Sequence, residues 1–188
     1  MYKLRELERE DLKKINKWRN DPDLISCLGA PYRFINEDVD SDWYEKYLNA
    51  RGNCVRCAIV DNEDDSDVLG LISLIDINYI NRSAELHIMI GGSQNRGKGM
   101  GTFAVKAMLA HAFDNLNLRR IELGVLETNL PAIKLYEKTG FVREGLKRES
   151  NYKNGQYQNM IIMSVLKNEL IYWEFYITGS NYVRESKR

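Results

Sequence analysis

Residues 92–102 read Gly92-Ser93-Gln94-Asn95-Arg96-Gly97-Lys98-Gly99-Met100-Gly101-Thr102, between an apolar run and an amphipathic one. Glycines at 97, 99 and 101 allow left-handed or tightly turned backbone, so successive N–H groups can point at the same anion with no Cβ between them. The amphipathic segment that follows predicts a helix, and its N-terminal dipole also favours an anion. We therefore interpret the stretch as a loop that holds phosphates.

Two familiar phosphate loops do not fit this spacing. A Walker A loop, G-x-x-x-x-G-K-[ST], matches from Gly92 to Lys98, but Gly99 replaces the hydroxyl residue that would hold magnesium. A dinucleotide fingerprint requires G-x-G-x-x-G and an acid about twenty residues later, whereas these glycines run G-x-G-x-G and Glu122 lies inside a predicted strand. The spacing excludes both readings.

Hydrophobic periodicity around the loop predicts a chain that begins with a strand and a helix and then alternates strands with helices. Strands are predicted at residues 2–7, 55–60, 68–77, 83–90, 120–125, from 141 onward and 157–166, and helices at 8–20, 36–49, 99–115 and 130–138. Asn20-Asp21-Pro22 is expected to stop the first helix. Asn154-Gly155 between two extended segments predicts a tight hairpin.

Composition is typical of an ordinary globular protein. The chain has 188 residues, of which 44% are hydrophobic and 29% charged, and 27 acidic side chains balance 27 lysines and arginines. This length suits one domain, assigned to residues 1–170, with an extension at 171–188 that is expected to be mobile. No basic field predicts nucleic-acid binding and no apolar run predicts a membrane span or signal peptide, so a cytoplasmic protein is expected.

The three cysteines do not predict a disulfide framework or a metal site. Their number is odd, and Cys54 and Cys57 lie three apart in a β-prone run, where their side chains would face opposite sides of a strand. We expect reduced thiols and no metal.

Two signatures resemble the GNAT superfamily of N-acyltransferases. Gln94-x-x-Gly97-x-Gly99, followed by Gly101-Thr102, resembles its acyl-CoA pyrophosphate loop. The second signature, N-x-x-A-x-x-x-Y-x-x-x-G-F, is matched by the segment from Asn129 to Phe141. The resemblance extends from Tyr2 to about Leu170 and implies the GNAT fold, an α/β (α+β) class with a mixed, mostly antiparallel sheet of about seven strands flanked by about four helices.

Shorter segments point to a branch of this superfamily. Residues 4–12 and 154–157 are similar to ribosomal-protein N-terminal acetyltransferases and spermidine acetyltransferases, and residues 18–22 resemble amino-sugar-nucleotide acetyltransferases. Spermidine acetyltransferases carry glutamates that hold polyamine after the first helix, whereas residues 27–33 here read Cys-Leu-Gly-Ala-Pro-Tyr-Arg. The acceptor therefore stays open among a polyamine, an amino-sugar nucleotide, another small amine and a protein N-terminus.

The resemblance implies acetyl-CoA as cosubstrate. The main chain of residues 88–90 would meet the pantetheine arm, and residues 96–102 would cradle the pyrophosphate. The residues expected to bind the cofactor are Ile88, Met89, Ile90, Gln94, Arg96, Gly97, Lys98, Gly99, Met100, Gly101, Thr102, Asn129, Ala132 and Tyr136. Family members separate the strand before the loop from the strand after the helix, and a bulge near Met89 would direct an N–H at the reacting oxygen.

Two residues are candidates for the proton transfers. An alkyl amine with a pKa near 10 must lose a proton before it attacks a thioester, and Glu85, on the strand that leads into the loop, is the candidate base, directly or through water. His87, two residues away, would share its strand face as a partner or relay. The resemblance assigns Tyr136 as the acid for the leaving CoA thiolate. The alternatives are an edge-facing charge for Glu85 and simple aromatic packing for Tyr136.

Acidic residues are the remaining candidates for amine binding. One group lies on the second predicted helix (Glu37, Asp38, Asp40, Asp42 and Glu45), and the other in the following hairpin turn (Glu63, Asp64, Asp65 and Asp67). Solvated faces are the alternative explanation for both. The predicted function is acetyl transfer to a primary amine in a ternary complex, the alternative being a catalytically silent CoA-binding regulatory module. Similar enzymes form dimers or larger rings, so a homo-oligomer is expected.

Overall fold

The computed structural model describes residues 1–170, 176–178 and 181–183. Within these residues the strands are β1 (Tyr2–Glu6), β2 (Val55–Asp61), β3 (Val68–Asn78), β4 (Ser83–Ile90), β5 (Arg120–Leu126), β6 (Val142–Lys153), β7 (Gln156–Leu166), β8 (Tyr176–Thr178) and β9 (Asn181–Val183). The α-helices are α1 (Leu12–Arg19), α2 (Pro22–Ser26), α3 (Glu37–Asn49), α4 (Met100–Ala110) and α5 (Leu130–Lys138).

Seven strands form a mixed sheet, as expected, and their order is β1-β2-β3-β4-β5-β7-β6. Every neighbouring pair is antiparallel except β4 and β5, which are joined through α4 and run parallel. These two strands pair only from Ser83 with Arg120 to Glu85 with Glu122, although β4 continues to Ile90 and β5 to Leu126. The two strands therefore separate beyond Glu85, which is the splay that the family resemblance implies.

Helices cover both faces of the sheet. On one face, Leu86 and Ile121 of the sheet share a buried cluster with Met108 of α4 and Ile133 of α5. The other face, between β1 and β4, is covered by α1 and α3. Ile15 belongs to the buried cluster on that side. The splayed strands therefore lie between a helix pair that carries the glycine-rich loop and a second helical layer.

Local signals explain most element boundaries. The side chain of Asn36 accepts a hydrogen bond from the N–H of Val39 at 3.0 Å and caps α3. Asn154 and Gly155 have φ angles of 51° and 80°, the positive values that a two-residue hairpin between β6 and β7 requires. The seven strands of the sheet and four of the five α-helices match the predicted order of elements.

The sequence analysis missed α2. Asn20 does end the first helix, but Asp21 and Pro22 begin another. An oxygen of Asp21 accepts from the N–H groups of Asp23 and Leu24 at 3.0 and 3.2 Å, and Pro22 occupies the first turn. Asp followed by Pro is itself a helix-start signal, because proline lacks the N–H that would stay unpaired there. The described residues thus contain five α-helices instead of about four.

The predicted helix at 99–115 changes its winding near its end. It is α-helical to Ala110 and continues as a π-helical turn over His111–Asn115, where Leu116 N–H donates to His111 O at 3.1 Å. The extension at 171–188 lies largely outside the described residues, so its expected mobility stays a prediction. In its described part, β8 and β9 form an antiparallel pair. No helix in the described ranges has both the length and the apolar character to cross a membrane.

Candidate active site

The glycine-rich loop has the backbone that its sequence predicts. Gly97 and Gly99 have φ angles of 75° and 81°, in the left-handed region, and Gly99 immediately precedes the first residue of α4. A Cβ added at either glycine would meet nothing within 4 Å. The exposed side chains of Arg96 and Lys98 flank this open space. Main-chain N–H groups, a helix N-terminus and two cations thus fit the pyrophosphate of acetyl-CoA.

Packing fixes the base of the loop. A Cβ on Gly91 would lie 1.9 Å from the Trp18 ring, so this position tolerates only glycine without movement of the ring. The Nδ2 of Asn95 donates to Gly91 O at 2.9 Å. Met100 is 2% exposed and belongs to the core, so of this expected cofactor residue only the main chain is available to a ligand.

Within the described part of the chain, the main chain of Ile88, Met89 and Ile90 has no strand partner on the side that faces β5, because the parallel ladder ends at Glu85. This edge is where the pantetheine arm is expected. On the other side the ladder with β3 is continuous from Ile90 to Glu85. The prediction of a bulge near Met89 is therefore wrong as far as the β3–β4 ladder is concerned. The irregularity lies instead between Ile75 and Asn78 of β3.

Glu85 and His87 are brought together as expected. Glu85 Oε1 lies 2.9 Å from His87 Nε2, and the two side chains are 39% and 55% exposed. Glu85 belongs to the last residue pair before β4 and β5 separate. A carboxylate with a histidine partner therefore stands at the closed end of the splay, open to solvent and able to accept a proton.

A charged network that the sequence analysis missed lies beside Glu85. Arg120 donates to both oxygens of Glu144 at 2.7 and 2.6 Å, to Glu122 at 3.0 Å and to the buried hydroxyl of Ser164 at 2.9 Å. The bonds from Arg120 and then from Ser164 lower the pKa of Glu144 to about 2. Glu122 is in register with Glu85 on the neighbouring strand, so both point to the same sheet face. Three carboxylates lie here beside the guanidinium of Arg120. Arg56 of β2 lies on the same face two strands from β4, where it donates to Ser73 at 3.4 Å. The acidic patch is therefore confined to β4, β5 and β6.

Tyr136 lies in the buried cluster between α4, α5 and the sheet and is 7% exposed. Its ring centroid is 5.7 Å from that of Phe141. Burial raises the pKa of Tyr136 to about 12, so the phenol stays protonated at neutral pH. No hydrogen bond within the described part of the chain engages its hydroxyl. The group is thus packed like a core aromatic and also holds a proton that it can donate.

Both polar atoms of the Asn129 side chain have partners within the protein. Its Oδ1 accepts from Ala132 N–H at 3.2 Å and caps α5, and its Nδ2 donates to Cys27 O at 2.8 Å. Asn129 therefore connects the helix that carries Tyr136 to the loop that follows α2. The sequence analysis expected Asn129 to bind the cofactor and did not predict either contact. The partner of its Nδ2 lies 102 residues away and depends on the tertiary fold.

Several of the acidic residues proposed to attract an amine are already paired. Asp40 is fully buried, where it accepts from Asn16 at 2.6 Å and pairs with Arg19, so it cannot meet a substrate. Asp42 pairs with Lys46 and Glu45 with Arg9. Glu37 and Asp38 remain exposed on the first turn of α3.

The acids of the β2–β3 turn lie away from the splay. Asp65 pairs with Lys3 at 2.8 Å and Asp67 with Lys14, beside a cavity of about 610 Å³ between this turn and α1. Four lysine or arginine side chains line it beside five carboxylates, and it lies away from the splay, so we do not assign it as the amine site.

The three cysteines are free thiols, and Cys54 and Cys57 pack against different buried clusters. Cys54 is buried with the α1 and α3 layer and Cys57 packs against the opposite cluster, as the sequence spacing predicts. Burial raises the pKa of Cys57 to about 12, so its thiol stays protonated. Within the described ranges, no group of three or more His, Cys, Asp or Glu side chains could hold a metal ion.

Known proteins are similar to this chain in sequence. Residues 2–142 match the family model described as acetyltransferase (GNAT) domain. The chain is 36% identical over 169 residues to the spermidine N(1)-acetyltransferase of Vibrio cholerae serotype O1, covering 89% of this chain and 94% of that protein. It is 35% identical to the Escherichia coli K12 enzyme of the same name, covering 90% of this chain and 88% of the relative.

A solved structure agrees with these sequence matches. The crystal structure of spermidine N-acetyltransferase from Vibrio cholerae in complex with CoA and spermine superposes with a TM-score of 0.83 at 34% identity, over 89% of this chain and 96% of that one. The family model covers most of the chain, and the loop and splay fit the cosubstrate. The chain therefore belongs to the GNAT acetyltransferase family and is an acetyl-CoA-dependent N-acetyltransferase.

Proposed function

We propose that this enzyme acetylates a primary amine of a polyamine such as spermidine, by direct attack of the amine in a ternary complex. The observation that carries the proposal is the position of the Glu85–His87 pair where β4 and β5 separate, on a sheet face that also bears Glu122 and Glu144. An acidic face attracts a cationic amine. The named relatives act on spermidine, which supports the same acceptor class here.

Acetyl-CoA, when bound, supplies the acetyl group as a thioester. The main chain of residues 97–102 and the cations of Arg96 and Lys98 would hold its pyrophosphate, and the open edge of Ile88–Ile90 would hold its pantetheine arm. Asn129, with both polar side-chain atoms engaged, would line the site instead of donating to the cofactor. Gln94 and Ala132 complete the expected lining.

Glu85 would remove the proton that activates the amine. An alkyl ammonium has a pKa near 10, far above that of a carboxylic acid, so a carboxylate cannot fully deprotonate it beforehand. Glu85 can take the proton when the nitrogen attacks the thioester, because the nitrogen becomes more acidic as it forms the new bond. Glu85 accepts this proton directly or through water, and His87, 2.9 Å away, passes it to solvent. Both side chains are solvent-accessible, which such a relay requires.

Tyr136 would donate the proton that the departing sulfur requires. Because burial keeps its pKa near 12, the hydroxyl enters each turnover in the protonated form. Phe141 and the surrounding cluster restrict its ring, so the proton is delivered from a fixed position.

The acceptor is expected to be recognised by the sheet and not by the loop after α2. Residues 27–33 contain no carboxylate and include Arg33. The resemblance to spermidine acetyltransferases implies glutamates that hold polyamine in this segment. The cationic groups of a polyamine would then be met by Glu85, Glu122 and the exposed acids Glu37 and Asp38.

Thiol release from acetyl-CoA tests the proposal. Purified protein is offered spermidine, spermine, an amino-sugar nucleotide and peptides that begin with alanine or serine, with the E85Q variant as control. We expect turnover with the polyamines and its loss in E85Q. Turnover only with the sugar nucleotide or a peptide would overturn the acceptor, and CoA binding without turnover on any amine would favour the silent regulatory module.

We also propose that the enzyme is a homo-oligomer. The edge strand β6 is exposed along most of its length and carries Val142 and Leu146, which are 56% and 47% exposed. Such an edge is open to pairing with a second copy. Light scattering coupled to gel filtration tests this, and a mass of 21.9 kDa would contradict it.

A further inference from the structure

We propose that Lys153 is a positioning residue that holds residues 25–30, the end of α2 and the loop after it, as a wall of the amine site. The inference rests on the proposed function, because it concerns the acceptor side of that reaction. Lys153 is the last residue of β6, and nothing in the two GNAT signatures includes it.

The contacts of Lys153 are unusual for a lysine. Its side chain is 7% exposed, and its Nζ donates to Ile25 O at 2.7 Å and to Ala30 O at 2.5 Å. Both acceptors are main-chain carbonyls, one at the end region of α2 and one in the loop that follows. A single ammonium therefore spans the two ends of this segment and ties it to the β6–β7 hairpin.

No carboxylate within the described residues forms an ion pair with Lys153. A buried cation without a carboxylate is costly unless its hydrogen bonds are satisfied. Burial accordingly lowers the pKa of Lys153. An uncharged aliphatic residue would fill the same space without this cost, so we infer that the ammonium is retained for the geometry of its two bonds.

The held segment lies over the splayed half of β5. A Cβ on Gly29 would lie 3.1 Å from Met160 of β7, and a Cβ on Gly124 of β5 would lie 2.5 Å from the sulfur of the same methionine. Because side chains alternate along β5, Gly124 shares its face with Glu122, which is in register with Glu85. The loop, Met160 and the candidate base therefore border the same sheet face.

A second bond connects this loop to the cofactor side. Asn129 Nδ2 donates to Cys27 O at 2.8 Å, between the two carbonyls that Lys153 holds. Lys153 thus fixes both ends of the segment and Asn129 its middle. Asn129 also caps α5, so its bond to Cys27 fixes the position of residues 25–30 relative to Tyr136. A displacement of residues 25–30 would therefore change the amine site more than the phosphate loop.

The test compares K153M with K153R and K147M in the thiol-release assay. Methionine keeps the length and loses the donors, arginine keeps a charged donor, and Lys147 is an exposed residue of the same strand. We expect K153M to raise the KM for the amine roughly tenfold. Without the two bonds of Lys153, a smaller fraction of the enzyme has residues 25–30 in place, and the apparent affinity for the amine decreases in proportion. The KM for acetyl-CoA should change by less than roughly twofold. The KM of K153R for the amine should lie between the values of K153M and the wild type.

A readout that needs no turnover separates this inference from the proposed function. Trypsin cleavage after the exposed Arg33, followed by mass spectrometry, reports whether the loop is held. We expect faster cleavage in K153M than in K147M, while thermal unfolding confirms that both are folded. The role of Lys153 would be overturned if K153M and K147M were cleaved at the same rate. It would also be overturned if K153M raised the KM for the amine and for acetyl-CoA equally, or if K153M and K153R behaved alike. Lack of turnover in the wild type would instead overturn the proposed function and leave the cleavage result valid.

Discussion

The surroundings of Tyr136 decide which form its hydroxyl takes. The motif that contains it is compatible both with core packing and with proton donation, and a buried ring with a protonated hydroxyl is compatible with both roles. The ring packs against Phe141, and the same burial raises the pKa to about 12. A phenol in this environment keeps its proton until a base forms next to it.

Removing this hydroxyl should slow the reaction without unfolding the protein. We expect Y136F to lower kcat roughly tenfold to a thousandfold, the range for loss of an acid catalyst. Thiol release from acetyl-CoA measures it. Y157F, which removes the hydroxyl of a tyrosine that is 67% exposed, is the matched control. Unchanged kcat in Y136F would remove Tyr136 from the mechanism.

The alkaline behaviour of Tyr136 follows from the direction of its pKa shift. Burial disfavours the phenolate, so the hydroxyl should remain protonated around pH 10, where an exposed tyrosine ionises. We expect wild type and Y136F to release the same amount of tyrosinate near that pH, as followed by ultraviolet absorbance, and to differ only toward pH 12. A difference of a full tyrosine near pH 10 would contradict the burial argument.

Among the elements, the loop before α4 depends most on a backbone conformation. Gly99 has a φ of 81°, which costs a residue with a side chain about 1–2 kcal/mol. We therefore expect G99V to weaken CoA binding roughly fivefold to thirtyfold, as measured by calorimetry. Gly52, where a Cβ would also meet nothing and φ is ordinary, supplies the control G52V. Equal affinity in both variants would show that the loop does not need the left-handed conformation.

The network that joins β5, β6 and β7 should respond to acid. Arg120 and then Ser164 lower the pKa of Glu144 from 4.5 to about 2. The stabilisation by ionised Glu144 is therefore complete above pH 4.5 and is lost as the pH falls toward 2. We expect the difference in free energy of unfolding between wild type and E144Q to shrink over this interval, measured by urea titration. A difference that is independent of pH would contradict the assignment.

At the scale of the whole molecule, the order of elements could be predicted because each element carries its own signal. The boundaries of α5 and the Asn154-Gly155 hairpin follow from local residues. The short α2 was missed because its cap and proline also read as a stop for α1. The Arg120 network and the Lys153 contacts were missed for another reason. Glu144 lies 24 residues from Arg120 and is brought beside it by the pairing of strands, and Ile25 lies 128 residues from Lys153 and is brought beside it by the tertiary fold.

The domain assignment yields a prediction for the whole chain. If residues 1–170 form the domain, a chain that ends at Leu170 should keep the kcat and the free energy of unfolding of the full protein. Steady-state kinetics and urea unfolding of the two chains measure this. Aggregation or a large loss of stability in the shorter chain would show that residues 171–188 contribute to the fold.

The short ladder between β4 and β5 determines where the sheet opens. Three residue pairs join β1–β4 to β5–β7, and beyond Glu85 the two strands separate. A ligand placed in this gap would face the main chain of both strands. Glu85 and Glu122 form the last pair before the gap, so the main chain of the proposed base is held in regular sheet while its residue borders the opening.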